Sequence, residues 1–112
     1  MIASRLDLSI AKEFTEFPGP RKRTEGEFSG EQFLAELLRP RFVAARDAGA
    51  SLFVELDGAA GYPTSFLEEA FGGLAREFGV EEVRRVLEIH CADEPYLVDQ
   101  IWKYVDEATT RK

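Results

Sequence analysis

The sequence contains few of the residues that usually carry redox or metal chemistry. Its 112 residues include one cysteine and one histidine. A single cysteine excludes an internal disulfide and a zinc site made of several thiolates, and it is typical of a reducing cytoplasm. The chain also lacks an N-terminal apolar run of the signal-peptide type and any apolar stretch long enough to span a bilayer. We therefore expect a cytoplasmic protein that is not held in a membrane.

Positive charge is scarce as well. Lysine and arginine together number 14 against 21 aspartates and glutamates, which gives a net charge of -7. Duplex DNA and anionic membranes both require a cationic surface, so we expect neither nucleic acid nor membrane as a partner. Hydrophobic residues make up 45% of the chain and include nine phenylalanines. This length and composition predict a single domain with its own core over residues 1–112.

The central stretch of the chain predicts a strand followed by a loop. Apolar residues at every second position from Leu52 indicate a buried strand from Ser51 to Asp57. Two glycines and a proline between Gly58 and Pro63 then predict a loop, because no regular element crosses such a segment.

A capped helix is predicted after the loop. Ser65 precedes Glu68 by three residues, which is the capping-box spacing, and Thr64 is an alternative cap. The paired glycines Gly72 and Gly73 predict close approach of another backbone, either from the sheet or from a partner. Apolar residues recur at the intervals of three and four that are typical of an amphipathic helix, and they are Leu67, Ala70, Phe71, Leu74 and Phe78.

Strands and helices alternate in the rest of the chain. Weak alternation from Ile2 to Ile10 predicts a first strand, and Ser29 with Gln32 predicts a second capping box at the start of a helix. We also predict a short helix over residues 80–87, a brief strand from Leu87 to Cys91, and a last amphipathic helix. This order predicts an α/β domain with a mixed central sheet of about four strands and helices packed against it.

Arg21, Lys22 and Arg23 form a basic cluster. We interpret it as a solvated edge strand or hairpin turn, because three basic residues are too few to indicate nucleic-acid binding. The alternative is a patch that faces phosphate or acidic groups.

The sequence argues against catalysis. His90 and Cys91 are neighbours in a predicted strand, so their side chains point to opposite faces, and the chain has no second histidine to act as a base. Ser65 lies outside the Gly-x-Ser-x-Gly pattern of hydrolases. Glu55 and Asp57 share one strand face, but a magnesium site there would need further oxygen ligands. We therefore expect no enzyme activity, no cofactor and no metal.

Two patterns resemble known domains. The order Leu56-Asp57-Gly58-Ala59 followed by Thr64-Ser65 resembles the STAS domain of anti-sigma factor antagonists. Three segments, Gly26 to Phe33, Leu56 to Gly58 and Gly61 to Leu74, are similar to a small STAS-like family of unknown function. The resemblance implies a STAS-like α/β fold. In the antagonists, an ATP-dependent anti-sigma kinase phosphorylates a Ser or Thr at the start of the helix, and this phosphate controls binding.

The resemblance further implies a bacterial signalling module that acts through protein–protein interaction, with a histidine-kinase-like ATPase as its partner. The phosphate acceptor would be Thr64 or Ser65. The partner would contact the loop from Gly58 to Pro63 and the exposed face of the next helix, where Phe66 lies off the apolar stripe and is expected to be partly exposed. The predicted partner-binding residues are Asp57, Gly58, Tyr62, Phe66, Glu69 and Gly73.

Two other functions stay open at this point. A small-ligand or nucleotide sensor would use Arg21, Lys22 and Arg23 to contact phosphate. A structural subunit would form a stable homodimer and have no transient partner. The sequence does not fix the oligomeric state.

Overall fold

The computed structural model describes residues 4–108. Its sheet contains β1 (Arg5–Ser9), β2 (Ser51–Glu55) and β3 (Leu87–His90). The strands lie in the order β1-β2-β3, and both neighbouring pairs are parallel. The prediction of a mixed sheet with about four strands is therefore wrong for the described part of the chain. Helical segments link the strands, and such crossovers bring each strand back in the same direction.

Two long helices contain a π-helical stretch in their interiors. The first is α-helical at Gly30–Phe33, π-helical at Leu34–Leu38 and α-helical again at Arg39–Asp47. The second repeats this plan with Thr64–Leu67, Glu68–Gly72 and Gly73–Phe78. In chain order the helices are α1 (Ile10–Glu13), α2 (residues 30–47), α3 (residues 64–78), α4 (Val80–Val86) and α5 (Tyr96–Glu107), and a 3-10 turn lies at Arg23–Glu25.

Serine caps define the starts of the first two helices. The Ser29 hydroxyl accepts the Gln32 N–H at 3.0 Å, so the predicted start of α2 is confirmed. The Ser9 hydroxyl accepts the Lys12 N–H at 3.3 Å and caps α1. Strand β1 therefore ends at Ser9, one residue before the predicted end at Ile10. The part of that predicted strand that precedes Ser4 lies outside the described residues.

The sheet has one buried face and one open face. On β2, Leu52 and Val54 are fully buried, whereas Phe53 and Glu55 point the other way and are partly exposed. His90 extends this open face on β3. Parallel sheets are usually covered on both faces. The open face here leaves polar side chains accessible at the ends of the strands.

The apolar stripe of α3 is buried as predicted except at Phe78, which is partly buried, and Phe66 is buried as well. The expectation that Phe66 is partly exposed is therefore wrong. Its ring packs against those of Phe14, Phe33 and Tyr62, with centroid separations of 6.3, 5.8 and 6.1 Å. The segment after α1 and the first turn of α2 cover this side of α3, which the pattern of α3 alone does not reveal.

Gly73, the second of the paired glycines of α3, makes room for α2. A Cβ atom on Gly73 would lie 2.9 Å from Leu34 Cδ2. The predicted crowding is present, but it comes from a side chain of α2 and not from the sheet or a backbone. Gly73 therefore serves the helix–helix contact.

Candidate functional site

An open cleft of about 550 Å³ lies where β1 and β2 end. Ligands of open α/β sheets bind at this edge, outside the carboxyl ends of the strands. The lining includes the Phe53 ring, the Lys12 side chain and four carboxylates, which belong to Asp7, Glu13, Glu55 and Asp57. This excess of negative charge favours a cationic occupant over an anionic one.

Two of these carboxylates already have arginine partners. Arg5 Nε lies 2.8 Å from Asp7 Oδ1. A guanidinium nitrogen of Arg41 lies 2.5 Å from Glu13 Oε1, and this hydrogen bond lowers the pKa of Glu13 below its ordinary value. Asp7 and Glu13 are therefore largely neutralised within the wall of the cleft.

Glu55 and Asp57 face His90 instead. The register of β2 and β3 sets Glu55 opposite His90. His90 Nδ1 lies 2.9 Å from each carboxylate oxygen of Glu55 and 3.8 Å from Asp57 Oδ2. The hydrogen bond with Glu55 raises the pKa of His90 above its ordinary value. Sequence reasoning missed this cluster, because it compared His90 with its chain neighbour Cys91 and not with the residue across the strand pair.

Asp57 also fixes the segment that follows β3. Its Oδ1 accepts the Asp93 N–H at 2.9 Å, and its Oδ2 accepts the Ala92 N–H at 3.0 Å. The hydrogen bond from Asp93, and after it the one from Ala92, lower the pKa of Asp57 below its ordinary value. Asp57 thus joins the end of β2 to the approach to α5.

The predicted loop, residues 58–63, is anchored to the body of the domain. The Tyr62 hydroxyl donates to the Leu56 carbonyl at 2.7 Å, and burial raises the pKa of Tyr62. The Ala60 N–H donates to the Glu16 carbonyl at 2.8 Å. The loop therefore has a defined backbone path even though regular structure does not cross it.

Several residues of this loop and the first residue of the next helix are exposed. Gly58, Ala60, Pro63 and Thr64 are exposed, whereas Ser65 is partly buried. Gly58 has a φ of 101°, which glycine adopts at little cost and other residues rarely do. The exposed set is small and largely apolar, and it borders the cleft at Gly58.

Helix α3 begins earlier than the predicted cap allows. Pro63 occupies the cap position without a side-chain hydrogen bond, and Thr64 is the first helical residue. The predicted capping box of Ser65 with Glu68 is therefore wrong, and so is the alternative cap by Thr64. The Glu68 carboxylate contacts two arginines instead.

The basic cluster belongs to this arrangement. Arg21 contacts Glu68 and lies 3.3 Å from Glu69 Oε1, while Lys22 Nζ lies 3.1 Å from Glu69 Oε2. Arg23 lies 3.3 Å from Glu36 Oε2. Of the two interpretations, the acid-facing patch is the correct one, and the acidic groups lie in this chain. The Glu69 side chain is only 14% exposed because the basic segment covers it.

None of the helices within residues 4–108 combines the length and the apolar character needed to cross a bilayer.

Comparison with known proteins identifies a family. No curated protein and no solved structure matches the chain. The family model described as a STAS-like domain of unknown function (DUF4325) matches residues 29–97. That range exceeds half of the chain and extends from the cap of α2 through β3 to the start of α5. The chain therefore belongs to the family of STAS-like domains of unknown function.

Proposed function

We propose that this domain is a non-enzymatic regulatory module that binds a protein partner at the start of α3. The binding site, called the docking surface below, consists of Gly58, Ala60, Pro63 and Thr64. The observation that carries the proposal is the anchored path of the loop, whose hydrogen bonds hold these exposed residues in one arrangement. A surface that is already ordered binds at a lower entropic cost than a flexible loop does.

The other predicted partner-binding residues support the docking surface from behind. Tyr62 holds the loop through its hydrogen bond to Leu56, and Asp57 ties the end of β2 to the segment after β3. Phe66 is buried, Glu69 is covered by the basic cluster, and Gly73 packs against α2. We therefore assign these five residues to the scaffold of the site and not to direct contact.

A histidine-kinase-like ATPase is the partner class that the resemblance to anti-sigma factor antagonists supports. In this proposal the partner phosphorylates Thr64, which is exposed, in preference to the partly buried Ser65. A phosphate there would carry nearly two negative charges to the N-terminus of α3, where the helix dipole and free N–H groups tolerate it. The fold would persist while the docking surface would change its charge.

Substitution of Ala60 tests the docking surface. Ala60→Arg places a long cation in the surface while its backbone N–H bond can remain. We expect the variant to bind a purified ATPase partner, first captured from lysate with the wild-type domain, about tenfold more weakly or worse. Ala48→Arg is the matched control, because Ala48 is exposed next to the opposite end of β2. Equal binding by the two variants would exclude the surface.

Phosphorylation is tested separately with the same purified partner. Incubation with Mg-ATP followed by intact mass should add one phosphate to the wild-type domain and none to Thr64→Ala. Thr24→Ala is the control, because Thr24 is an exposed threonine in the 3-10 turn and its loss should leave the added mass unchanged. If Thr64→Ala still gained a phosphate, Thr64 would not be the acceptor, and Ser65 would be the next residue to substitute.

A small-ligand sensor is the second candidate, and the cleft at the ends of β1 and β2 favours it. The charge of the cleft argues against a nucleotide, since the carboxylates of Glu55 and Asp57 would repel phosphate. Arg21 and Lys22, the predicted phosphate contacts, are engaged by Glu68 and Glu69. Calorimetric titration with ATP and GTP should therefore give no binding heat, and measurable heat would restore the nucleotide sensor.

A further inference from the structure

Three potential ligand groups converge where β2 and β3 end. Glu55 is the last residue of β2, Asp57 follows two residues later, and His90 is the last residue of β3. One nitrogen or oxygen from each side chain lies within 4.8 Å of the others. His90 Nδ1 is 2.9 Å from the Glu55 carboxylate and 3.8 Å from Asp57 Oδ2. Parallel strand pairing therefore assembles one imidazole and two carboxylates from two separate segments.

We propose that Glu55, Asp57 and His90 bind one divalent transition-metal ion, of the kind represented by Zn²⁺, Mn²⁺ or Co²⁺. Metal bonds of about 2.0 to 2.2 Å to nitrogen and oxygen place neighbouring ligand atoms about 3 to 4 Å apart. The separations of 2.9 and 3.8 Å lie close to that range, so small side-chain movements suffice. An imidazole with carboxylates selects transition metals over Mg²⁺ and Ca²⁺, which prefer oxygen alone.

Neighbouring backbone groups orient these ligands. The Asp57 carboxylate accepts the N–H groups of Ala92 and Asp93, and Glu55 Oε2 accepts the Asp57 N–H at 3.0 Å. Each carboxylate oxygen has two lone pairs, so an oxygen that accepts one hydrogen bond can still coordinate a metal. Groups of this kind hold ligands in place in established metal sites. The two carboxylates are thus oriented by the fold and do not depend on the ion for their position.

The cleft supplies the remaining coordination positions. Glu55 and Asp57 line it, and it is open to solvent. Water can therefore complete the coordination shell of an ion held by three protein ligands. These water molecules would supply the oxygen ligands that Glu55 and Asp57 alone do not. The site shares Asp57 with the scaffold of the docking surface but uses none of the four residues of that surface, so metal binding can be tested without the partner.

Titration of the full chain without a polyhistidine tag tests the site, because His90 is then the only imidazole. Calorimetry should show one bound Zn²⁺ or Mn²⁺ per chain, with Mg²⁺ binding much more weakly. In proton NMR, the ring signals of the single histidine should shift with Zn²⁺ and broaden with paramagnetic Mn²⁺. The proposal would be overturned if neither Zn²⁺ nor Mn²⁺ bound at millimolar concentration. It would also be overturned if a metal bound but the histidine signals stayed unchanged.

Matched variants separate this site from general acidity. His90→Gln and Glu55→Gln should each weaken the affinity for Zn²⁺ about tenfold or more, since even outer partners of metal ligands contribute that much. Glu88→Gln is the control, because Glu88 is exposed on the same face of β3 and its substitution removes the same charge. If Glu88→Gln weakened the affinity for Zn²⁺ equally, the effect would come from surface charge and not from this site. Denaturant unfolding of each variant without metal verifies that it folds.

Cys91 provides the remaining control, because it follows His90 and a thiolate is a strong metal ligand. Its side chain is buried, and Cys91 is not among the three residues whose ligand atoms cluster. Cys91→Ser should therefore retain the affinity for Zn²⁺. Bound Co²⁺ should show only weak visible bands, and an intense sulfur-to-cobalt charge-transfer band would place the ion on Cys91 instead and overturn the assignment.

Discussion

Gly30 lies so close to Phe66 that a Cβ atom on the glycine would be 2.6 Å from the Phe66 carbonyl oxygen. The first turns of α2 and α3 therefore meet backbone to backbone, and the Phe33 ring stacks on that of Phe66 with a centroid separation of 5.8 Å. This contact fixes the start of α3 and, with it, the position of Thr64. A glycine in one helix thus helps to set the geometry of the proposed docking surface on another.

Substitution of Gly30 should destabilise the domain. Alanine forms helices better than glycine by about 1 kcal/mol, but here its methyl group would meet a carbonyl oxygen that cannot move freely. We expect Gly30→Ala to lower the free energy of unfolding by about 1 to 3 kcal/mol, as overpacked cores do. Urea denaturation followed by circular dichroism measures this. Gly61→Ala is the control, because no atom lies within 4 Å of its added Cβ, and it should leave stability unchanged or slightly higher.

Two serines that share a capping-box pattern should respond differently to alanine. Ser29 is fully buried and its hydroxyl accepts the Gln32 N–H, so Ser29→Ala should cost about 1 to 2 kcal/mol of unfolding free energy. Ser65 occupies the first turn of α3 without a capping role, so Ser65→Ala should change stability by about 0.5 kcal/mol or less. Both values come from urea denaturation. A larger loss for Ser65→Ala than for Ser29→Ala would contradict the assignment of the caps.

Local patterns in the sequence predicted the elements that depend on neighbouring residues. The alternation from Leu52 identified β2, and the Ser29 cap identified the start of α2, because both signals lie within one turn or one strand. Ser65 shows the limit of this reasoning. Its spacing to Glu68 is correct for a cap, but Pro63 occupies the cap position, and Glu68 is engaged by Arg21 outside the helix and by Arg76 within it.

Features that depend on distant segments could not be predicted. Phe66 is buried by residues about 30 and 50 positions away along the chain, and a helical pattern cannot report such coverage. The cluster of Glu55 with His90 requires the register of β2 and β3. Parallel pairing joins strands that are separated by a long crossover. No local sequence pattern therefore indicates that Glu55 lies opposite His90.

Removal of the Tyr62 hydroxyl should loosen the loop. In Tyr62→Phe, the Leu56 carbonyl loses the hydrogen bond that the Tyr62 hydroxyl donates over 2.7 Å. This bond is partly buried. We expect a loss of about 1 kcal/mol in unfolding free energy, the usual net value of one such hydrogen bond. Amide hydrogen exchange should also become faster in residues 58–63. Tyr96→Phe serves as the control, since the exposed Tyr96 hydroxyl makes only a long bond of 3.4 Å to Glu94. Unchanged exchange in Tyr62→Phe would show that other contacts fix the loop.

Acid should destabilise the domain through Glu68. Burial of this carboxyl group favours its neutral form, but hydrogen bonds from Arg76 and Arg21 outweigh burial and lower the pKa of Glu68 from 4.5 to about 2. A lowered pKa in the folded state means that the charged pair stabilises the domain above pH 4.5, and that this contribution is lost as the pH falls towards 2.

Urea denaturation between pH 7 and pH 2 measures this loss. Glu68→Gln should be less stable than the wild type at pH 7, and the difference should shrink as the pH falls from 4.5 to 2, because the wild-type carboxylate becomes neutral over that interval. Glu27→Gln, at an exposed position in the segment before α2, should follow the wild-type curve throughout. A constant difference between Glu68→Gln and the wild type would mean that shape and packing, and not the charge of Glu68, bind the basic cluster to α3.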